Sequence, residues 1–520
     1  MNNSEKHDTD QSSPNPLGLS FHRLAARRFV FDNNLPLCEM NPPTVVALDL
    51  MHPYESLENG SGSHRQMHSF EISQGKLKVT NSDEQDSASR LLVGGFNPYA
   101  VYDVAVDGLS GNGEVGIEFG TQDPSKRFVF SARYNRNEQA EVRCRYQEGG
   151  VERLSESLTL EQVPAFPFTF RVQMMGTGIG VYLEKDGVSR LQGVLETNTL
   201  LDFRKLDCFR QMKFYLFSRL TSGSSVIIRN AMSYFSCGVG QADIRLVTCK
   251  DGTPYVQDDR LWFLFTTRGW KTEHTTQGVF SLNPSLFDPR FEGVIVFDMD
   301  DGKLRNDIGT HLYYDEEERQ WRGWSCNFST VADGSNTRAA SGINYVWSDH
   351  NPLKGYSVMR SRAADNLSDH HEDPCGVWDA KAGRWRLVLS SFQESDIRAS
   401  MWESENWDGP FTKIAGPVPR DSTGTLIQKI GDTPYVFAAS ADRALYVYSY
   451  PDLGLLGELS TDYTPWNDTV KNGRVWPNIF PAPPGHPYPY LALMMDRANY
   501  PKLGGWTYGA LYLYGAVPSS

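Results

Sequence analysis

Between residues 40 and 240 apolar and polar residues alternate in short runs: HSFEISQGKLKVT, YAVYDVAVDG, GEVGIEFG, RFVFSARY, AEVRCRYQ, FTFRVQMMGTGIGVYLEKDG, KFYLFSRL and SSVIIRNAMSYF. Alternation at period two, broken by Gly, Asn and Asp, predicts antiparallel strands with one buried face. Strands spaced this closely predict a β-sandwich. From Asp243 the pattern lengthens into a recurring unit: an acidic or polar start, a short strand, a tight turn, and a second strand opened by an aromatic. The turns QDDRLW, DEEERQW, DAKAGRW, QKIGDTPY and PAPPGHPYPY deliver Trp262, Trp321, Trp385, Tyr435 and Tyr490, at intervals of 59, 64, 50 and 55 residues. Asp315 and Asp379 each stand six residues before a tryptophan, Trp321 and Trp385. Periods near fifty residues predict propeller blades, and five of them fill the remaining chain. The expectation is an all-β protein with a polar leader at 1–39, disordered in part, a β-sandwich over 40–240 and a five-bladed β-propeller over 241–520.

Composition agrees with this pattern. The chain has 520 residues, too many for a single compact core, and 12% aromatic residues, 45 Gly and 29 Pro suit many short strands and turns. A formal net charge of −13 argues against nucleic acid as a partner, because phosphate binding draws on Lys and Arg. No apolar run approaches the ~20 residues that cross a bilayer, so no membrane partner is expected. Seven cysteines without CxxC spacing read as buried free thiols. The start, MNNSEKHDTDQSSPNP, lacks the basic and apolar regions of an export signal. As given, the chain is expected in the cytoplasm, or in the periplasm or outside the cell if a signal has been removed.

Propeller geometry turns spacing into position, since each innermost strand starts at one face and the loop after the second strand returns there. The strand starts bring Asp243, Asp307, Asp373, Asp421 and Arg474 to that face. Asp307, Asp421 and Arg474 stand 14 residues before Trp321, Tyr435 and Tyr488, which reads as equivalence, whereas Asp373 stands 12 before Trp385. The returning loops add Arg268, Glu273 and His274 in TTRGWKTEH, Arg338 in DGSNTRAAS, Glu394 and Arg398 in SFQESDIRAS, Arg443 in SADRAL, and Asp496 and Arg497 in MMDRANY. A solvated loop is the competing reading for each alone. For the set it weakens, because charges converging in a narrow channel must be paired or functional. His311 and Trp476 lie near the same face. Arg pairs bidentately with carboxylates, so arginines there suggest an acidic ligand, balanced against neighbouring acids as their alternative role. His350, His370 and His371 lack metal-ligand spacing, and no metal or other cofactor is expected.

The repeated units, with NDIGTHLYYD and EDPCGVWD followed by Trp- or Tyr-led strands, resemble the five-bladed β-propeller glycoside hydrolases, the superfamily of arabinanases, xylosidases and fructosidases. The sandwich resembles concanavalin-like or carbohydrate-binding sandwiches, and the whole is similar to the ulosonic-acid hydrolases of rhamnogalacturonan II. The resemblance implies an exo-acting glycosidase for an acidic or furanosidic plant polysaccharide sugar. It implies Asp243 as base, Asp307 or Asp373 as orienting carboxylate, and Glu394 or Glu273 as acid, with Asp421 where the superfamily often has Glu. Arg268, His274, His311, Arg338, Arg398, Arg443, Arg474, Trp476, Asp496 and Arg497 would contact an oligosaccharide or polysaccharide. A lectin-like propeller is the rival reading, and a six-bladed sialidase-like ring is disfavoured by five units.

Overall fold

The computed structural model describes residues 15–40, 42, 55–56, 68–135, 140–159, 165–272, 274–329, 342–367, 370–393, 396–441, 444–459, 461, 475–495 and 510–519. Its architecture is a β-sandwich followed by a five-bladed propeller. One sandwich sheet is built around Gly113–Thr121 and Met212–Leu220, the other around Val101–Ser110 and Ser225–Phe235. Their facing sides carry the period-two residues of the sequence. Tyr102 sits at the centre, with ring centroids 4.6 Å from Phe119 and 4.9 Å from Phe214 in edge-on contact. Each such buried ring contributes on the order of 3 kcal/mol. On the other side of the first sheet Glu118 is fully buried between Arg90 and Arg127, an ion-paired group in the outward series.

The propeller's innermost strands are Gly240–Leu246, Ile308–Asp315, His371–Asp379, Thr423–Ile430 and Asn478–Pro481. Each pairs with its own second strand, and each packs beside the next around the channel, the fifth returning to the first. Trp262, Trp321 and Trp385, which open second strands, are buried. Tyr313, Trp324 and Trp385 close the seam between the second and third blades, with Tyr313 4.9 Å from Trp385. The periodic aromatics are therefore inter-blade core, and the outermost strands Arg290–Asp298 and Gly355–Ala363 join the first two blades by parallel pairing.

The leader expectation for 1–39 needs correction. Leu19–Arg27 is the outermost strand of the fifth blade, antiparallel to Leu511–Pro518 from Leu19↔Pro518 to Arg27↔Leu511. The chain then crosses the junction through buried Phe29, and Leu35–Met40 joins the sandwich edge beside Ser225–Phe235. The physical signal was a short alternation, LSF, which places Leu19 and Phe21 inward; the polar residues before it masked it. All seven cysteines are free. Among the described residues, no helix is long and apolar enough to cross a membrane.

Candidate active site

Four of the inner strands carry the same irregularity. Their pairing with the second strand slips between Ala242 and Arg245, Ile308 and His311, Glu372 and Cys375, and Thr423 and Leu426. At each bulge one residue takes a left-handed backbone: Asp243 at φ 52°, Gly309 at 65°, Asp373 at 56° and Gly424 at 62°. Glycine adopts this conformation without penalty, whereas other residues lose about 1–2 kcal/mol there, Asp being among the few that visit it. Blades two and four use glycine, and blades one and three retain an acid at that cost. Strain held in this way concentrates at working sites.

Both acids are more than nine-tenths buried. Oδ2 of Asp373 accepts hydrogen bonds from Thr423 Oγ1 at 2.9 Å, the Gly424 N–H at 3.0 Å and Ser390 Oγ at 3.2 Å. Its Oδ1 lies 3.7 Å from where a Cβ on Gly309 would stand. The second blade thus gives way in front of the free oxygen. In the fourth blade a Cβ on Gly424 would lie 2.3 Å from Nε1 of Trp476, so the indole covers the glycine face directly.

The equal spacing of 14 identifies a different device. Asp307 and Asp421 precede their bulge glycines and tie each strand start to the returning loop of the same blade. Asp307 is fully buried; Oδ1 accepts from Ser329 Oγ at 2.6 Å and the Ser329 N–H at 3.1 Å, and Oδ2 from Asn344 Nδ2 at 3.1 Å. Oδ2 of Asp421 accepts from the Ala441 N–H at 2.7 Å. Neither is equivalent to Asp243 or Asp373, and Asp373 needs no shortened start, because Gly309 also stands 12 residues before its tryptophan.

Burial pushes the Asp307 carboxyl above its ordinary value, against the opposing pull of the Ser329 and Asn344 bonds. The folded chain therefore holds this proton to higher pH than the unfolded chain, and stability from Asp307 falls as pH rises from about 4 through the raised value. Asp307→Asn is expected to flatten that part of the melting-temperature profile, followed calorimetrically from pH 4 upward. An unaltered slope would sink this assignment.

No protein-family model and no curated protein matches the chain. Among solved structures it is similar to a family 117 glycoside hydrolase of the marine bacterium Zobellia galactanivorans, with TM-score 0.37 and 10% identity over 53% of this chain and 84% of that one. A GH43_1 enzyme of Xanthomonas citri solved with xylotriose gives TM-score 0.36 and 11% identity, covering 54% and 87%. Carbohydrate-binding module CBM66 of Bacillus subtilis gives TM-score 0.24 and 10% identity, covering 35% and 94%. At such scores the neighbours carry no functional inference, which rests on the residues of the mouth.

Several other expected contacts are engaged elsewhere. His311 lies one layer below the bulges: Nδ1 accepts the Gly376 N–H at 3.1 Å, Nε2 faces Thr248 Oγ1 at 3.3 Å, and the ring stacks on Trp324. Burial, aided by Arg245, pushes its pKa down to about 3, so it is a neutral seam residue. Arg398 is held by Asp396 at 2.8 and 3.2 Å. Arg268 is buried, its Nη1 3.5 Å from the Thr272 carbonyl. His274 packs on Gly178 of the sandwich and pairs through Nε2 with Glu196. Burial raises the Glu196 carboxyl, but His274 and nearby donors bring it below its ordinary value overall. Glu273, Arg338, Glu394, Arg443, Arg474, Asp496 and Arg497 lie outside the described residues.

One central residue escaped the sequence reading. Arg245, two positions after Asp243, is fully buried in the channel, with Nη1 donating to the Thr425 carbonyl at 2.7 Å and the guanidinium 4.7 Å from the Trp476 ring. The signal was present in ADIRLV, where the bulge brings Arg245 into the innermost layer. Trp476 is likewise part of this floor.

The far end of the channel is covered by the turn 248–254. Thr248 and Cys249 pair with Tyr313 and Tyr314, the Lys250 carbonyl accepts the Trp378 N–H at 2.8 Å, and Asp251 meets Lys429 at 3.1 Å. This reaches blades two, three and four and leaves a cavity of about 330 Å³ beside it, lined by Leu246, Leu426, Asn478 and Tyr490 among others. The bulge acids sit above the floor, at the opposite face.

Proposed function

We propose that the chain is a glycoside hydrolase working at the propeller mouth, with Asp243 and Asp373 as its operative carboxylates. The observation that carries this reading is the left-handed bulge shared by the two acids, set against glycine at the same position in blades two and four. Glycosidic cleavage needs carboxyl groups converging on one bond, one to activate water or attack and one to protonate the leaving oxygen. In this reading Asp243 activates water, Asp373 orients the reacting groups, and Glu394 or Glu273 donates the proton.

The covered base supports exo action, because a sugar chain end fits a mouth above a closed floor better than a continuous strand does. An acidic or furanosidic plant polysaccharide sugar remains the proposed substrate. Its carboxylate would meet Arg338, Arg443, Arg474 or Arg497, since Arg398 is already answered by Asp396. Incubation with arabinan, xylan and pectic oligosaccharides, followed by chromatography, is expected to release single sugars from chain ends. Longer fragments would overturn exo action. Binding to these glycans with no release from any of them would replace the hydrolase with a lectin.

A further inference from the structure

The far end of the channel carries a second cavity. Beside the space of about 330 Å³ under the turn 248–254, a larger one of about 540 Å³ opens between the third and fourth blades. Gln428 and the Asp251–Lys429 pair border both, so the two lie side by side along the inner strand Thr423–Ile430. Volumes of about 300–1,000 Å³ suit a small ligand or one segment of a longer chain.

Gln428 is the polar group that packing leaves open. It is more than nine-tenths buried, and its Oε1 accepts the Ile479 N–H at 2.7 Å, which fixes the orientation of the amide. Its NH2 then has no protein acceptor among the described residues and is left to the cavities that the side chain lines. A buried amide donor of this kind costs free energy unless a ligand or water answers it. The walls around it match one chemistry. Trp378 and Tyr450 are half-buried aromatics on the larger cavity. The Tyr450 hydroxyl donates to Asp379 Oδ2 at 3.0 Å, and Asp379 Oδ1 accepts the N–H groups of Lys381 and Ala382 at 3.1 Å each, so this wall is fixed. Asp432, exposed on a hairpin turn of the fourth blade, has no ion pair or side-chain hydrogen bond among the described residues. A donor, an acceptor and an aromatic wall together suit a sugar ring, whose hydroxyls both donate and accept and whose C–H face is apolar. Asp251, Asp379 and Asp432 outnumber Lys381 and Lys429 here, which favours a neutral sugar over an acidic one.

We propose that the far face holds an accessory site for a neutral polysaccharide segment, with Gln428 and Asp432 binding its hydroxyls and Trp378 and Tyr450 walling its ring. It lies at the opposite face from the bulge acids, so it retains glycan without taking part in cleavage.

Titration calorimetry of the full chain with xylohexaose, arabinohexaose and cellohexaose, and with an oligogalacturonate of equal length, tests this. At least one neutral oligomer is expected to bind. Gln428→Glu keeps the acceptor for Ile479 and replaces the donor with a second acceptor, and Asp432→Ala removes the exposed carboxylate. Each is expected to weaken neutral binding about tenfold or more. Asp432→Ala, on an exposed turn, gives the same readout if Gln428→Glu does not accumulate as folded protein. Asp373→Asn should leave this binding intact, which separates it from binding at the mouth. Neutral binding that survives both far-face substitutions, or that Asp373→Asn abolishes, would overturn the proposal. So would tighter oligogalacturonate binding lost through the same two substitutions, or no binding by any of the three neutral oligomers. A chain that shows the far-face binding yet releases no sugar would instead remove only the proposed hydrolysis.

Discussion

Asp373→Asn is expected to lower kcat by about 100-fold while leaving the chain folded, since misplacing reacting groups by about 1 Å costs about 100-fold. The geometry makes this substitution unusually clean. Three donors, from Ser390, Thr423 and Gly424, converge on Oδ2. An asparagine satisfies them only by placing its carbonyl oxygen there, so its amide nitrogen takes the position of Oδ1. The change is thereby confined to the oxygen in front of Gly309, where a charged acceptor becomes a neutral donor. An effect on KM smaller than about threefold would show that the lost interaction belongs to the transition state. Initial rates on the released-sugar substrate, with melting temperature measured alongside, decide the matter. A variant that keeps more than about a tenth of kcat would remove Asp373 from the chemistry.

Much of the propeller was legible because its period is written in large aromatic residues. Trp262, Trp321 and Trp385 recur where second strands begin, and burial of those rings is a strong term that tolerates few alternatives. The strand starts were legible only to within two or three residues. Asp307 and Asp421 look like Asp243 and Asp373 along the chain, but the distinction between a loop staple and a bulge acid lies in backbone φ, which has no period. Gly309 and Gly424 were the missing clue, since a glycine following an acidic strand start marks where the left-handed residue falls. Arg245 was overlooked because one arginine inside an apolar strand reads as an outward residue. The bulge at Ala242 and Arg245 reverses that parity.

Removal of residues 1–27 is expected to leave little soluble protein, although this stretch reads as a polar leader. Leu19–Arg27 covers the whole of Leu511–Pro518, and Leu19 and Phe21 pack with Leu445, Val447 and Leu459 of the fourth blade. Truncating buried residues of this size costs about 2–5 kcal/mol each, comparable with the total stability of about 5–15 kcal/mol for a typical domain. The ladder compounds the loss. Without its partner LYLYGAV becomes an open edge rich in β-forming residues, free to pair with another chain. The fifth blade would then retain the three strands Asn478–Pro481, Tyr490–Met495 and Leu511–Pro518, and its closure with the fourth would lose the bridge from Phe21 to Thr461. Phe21→Ala separates the two contributions, because it keeps the ladder and removes the ring. It should remain soluble and melt several degrees lower, by about 2–4 °C for each kcal/mol lost. Soluble yield and melting temperature of the shortened chain provide the decisive comparison. If the chain beginning at residue 28 is soluble and melts within about 2 °C of the full protein, the ring does not depend on its N-terminal strand.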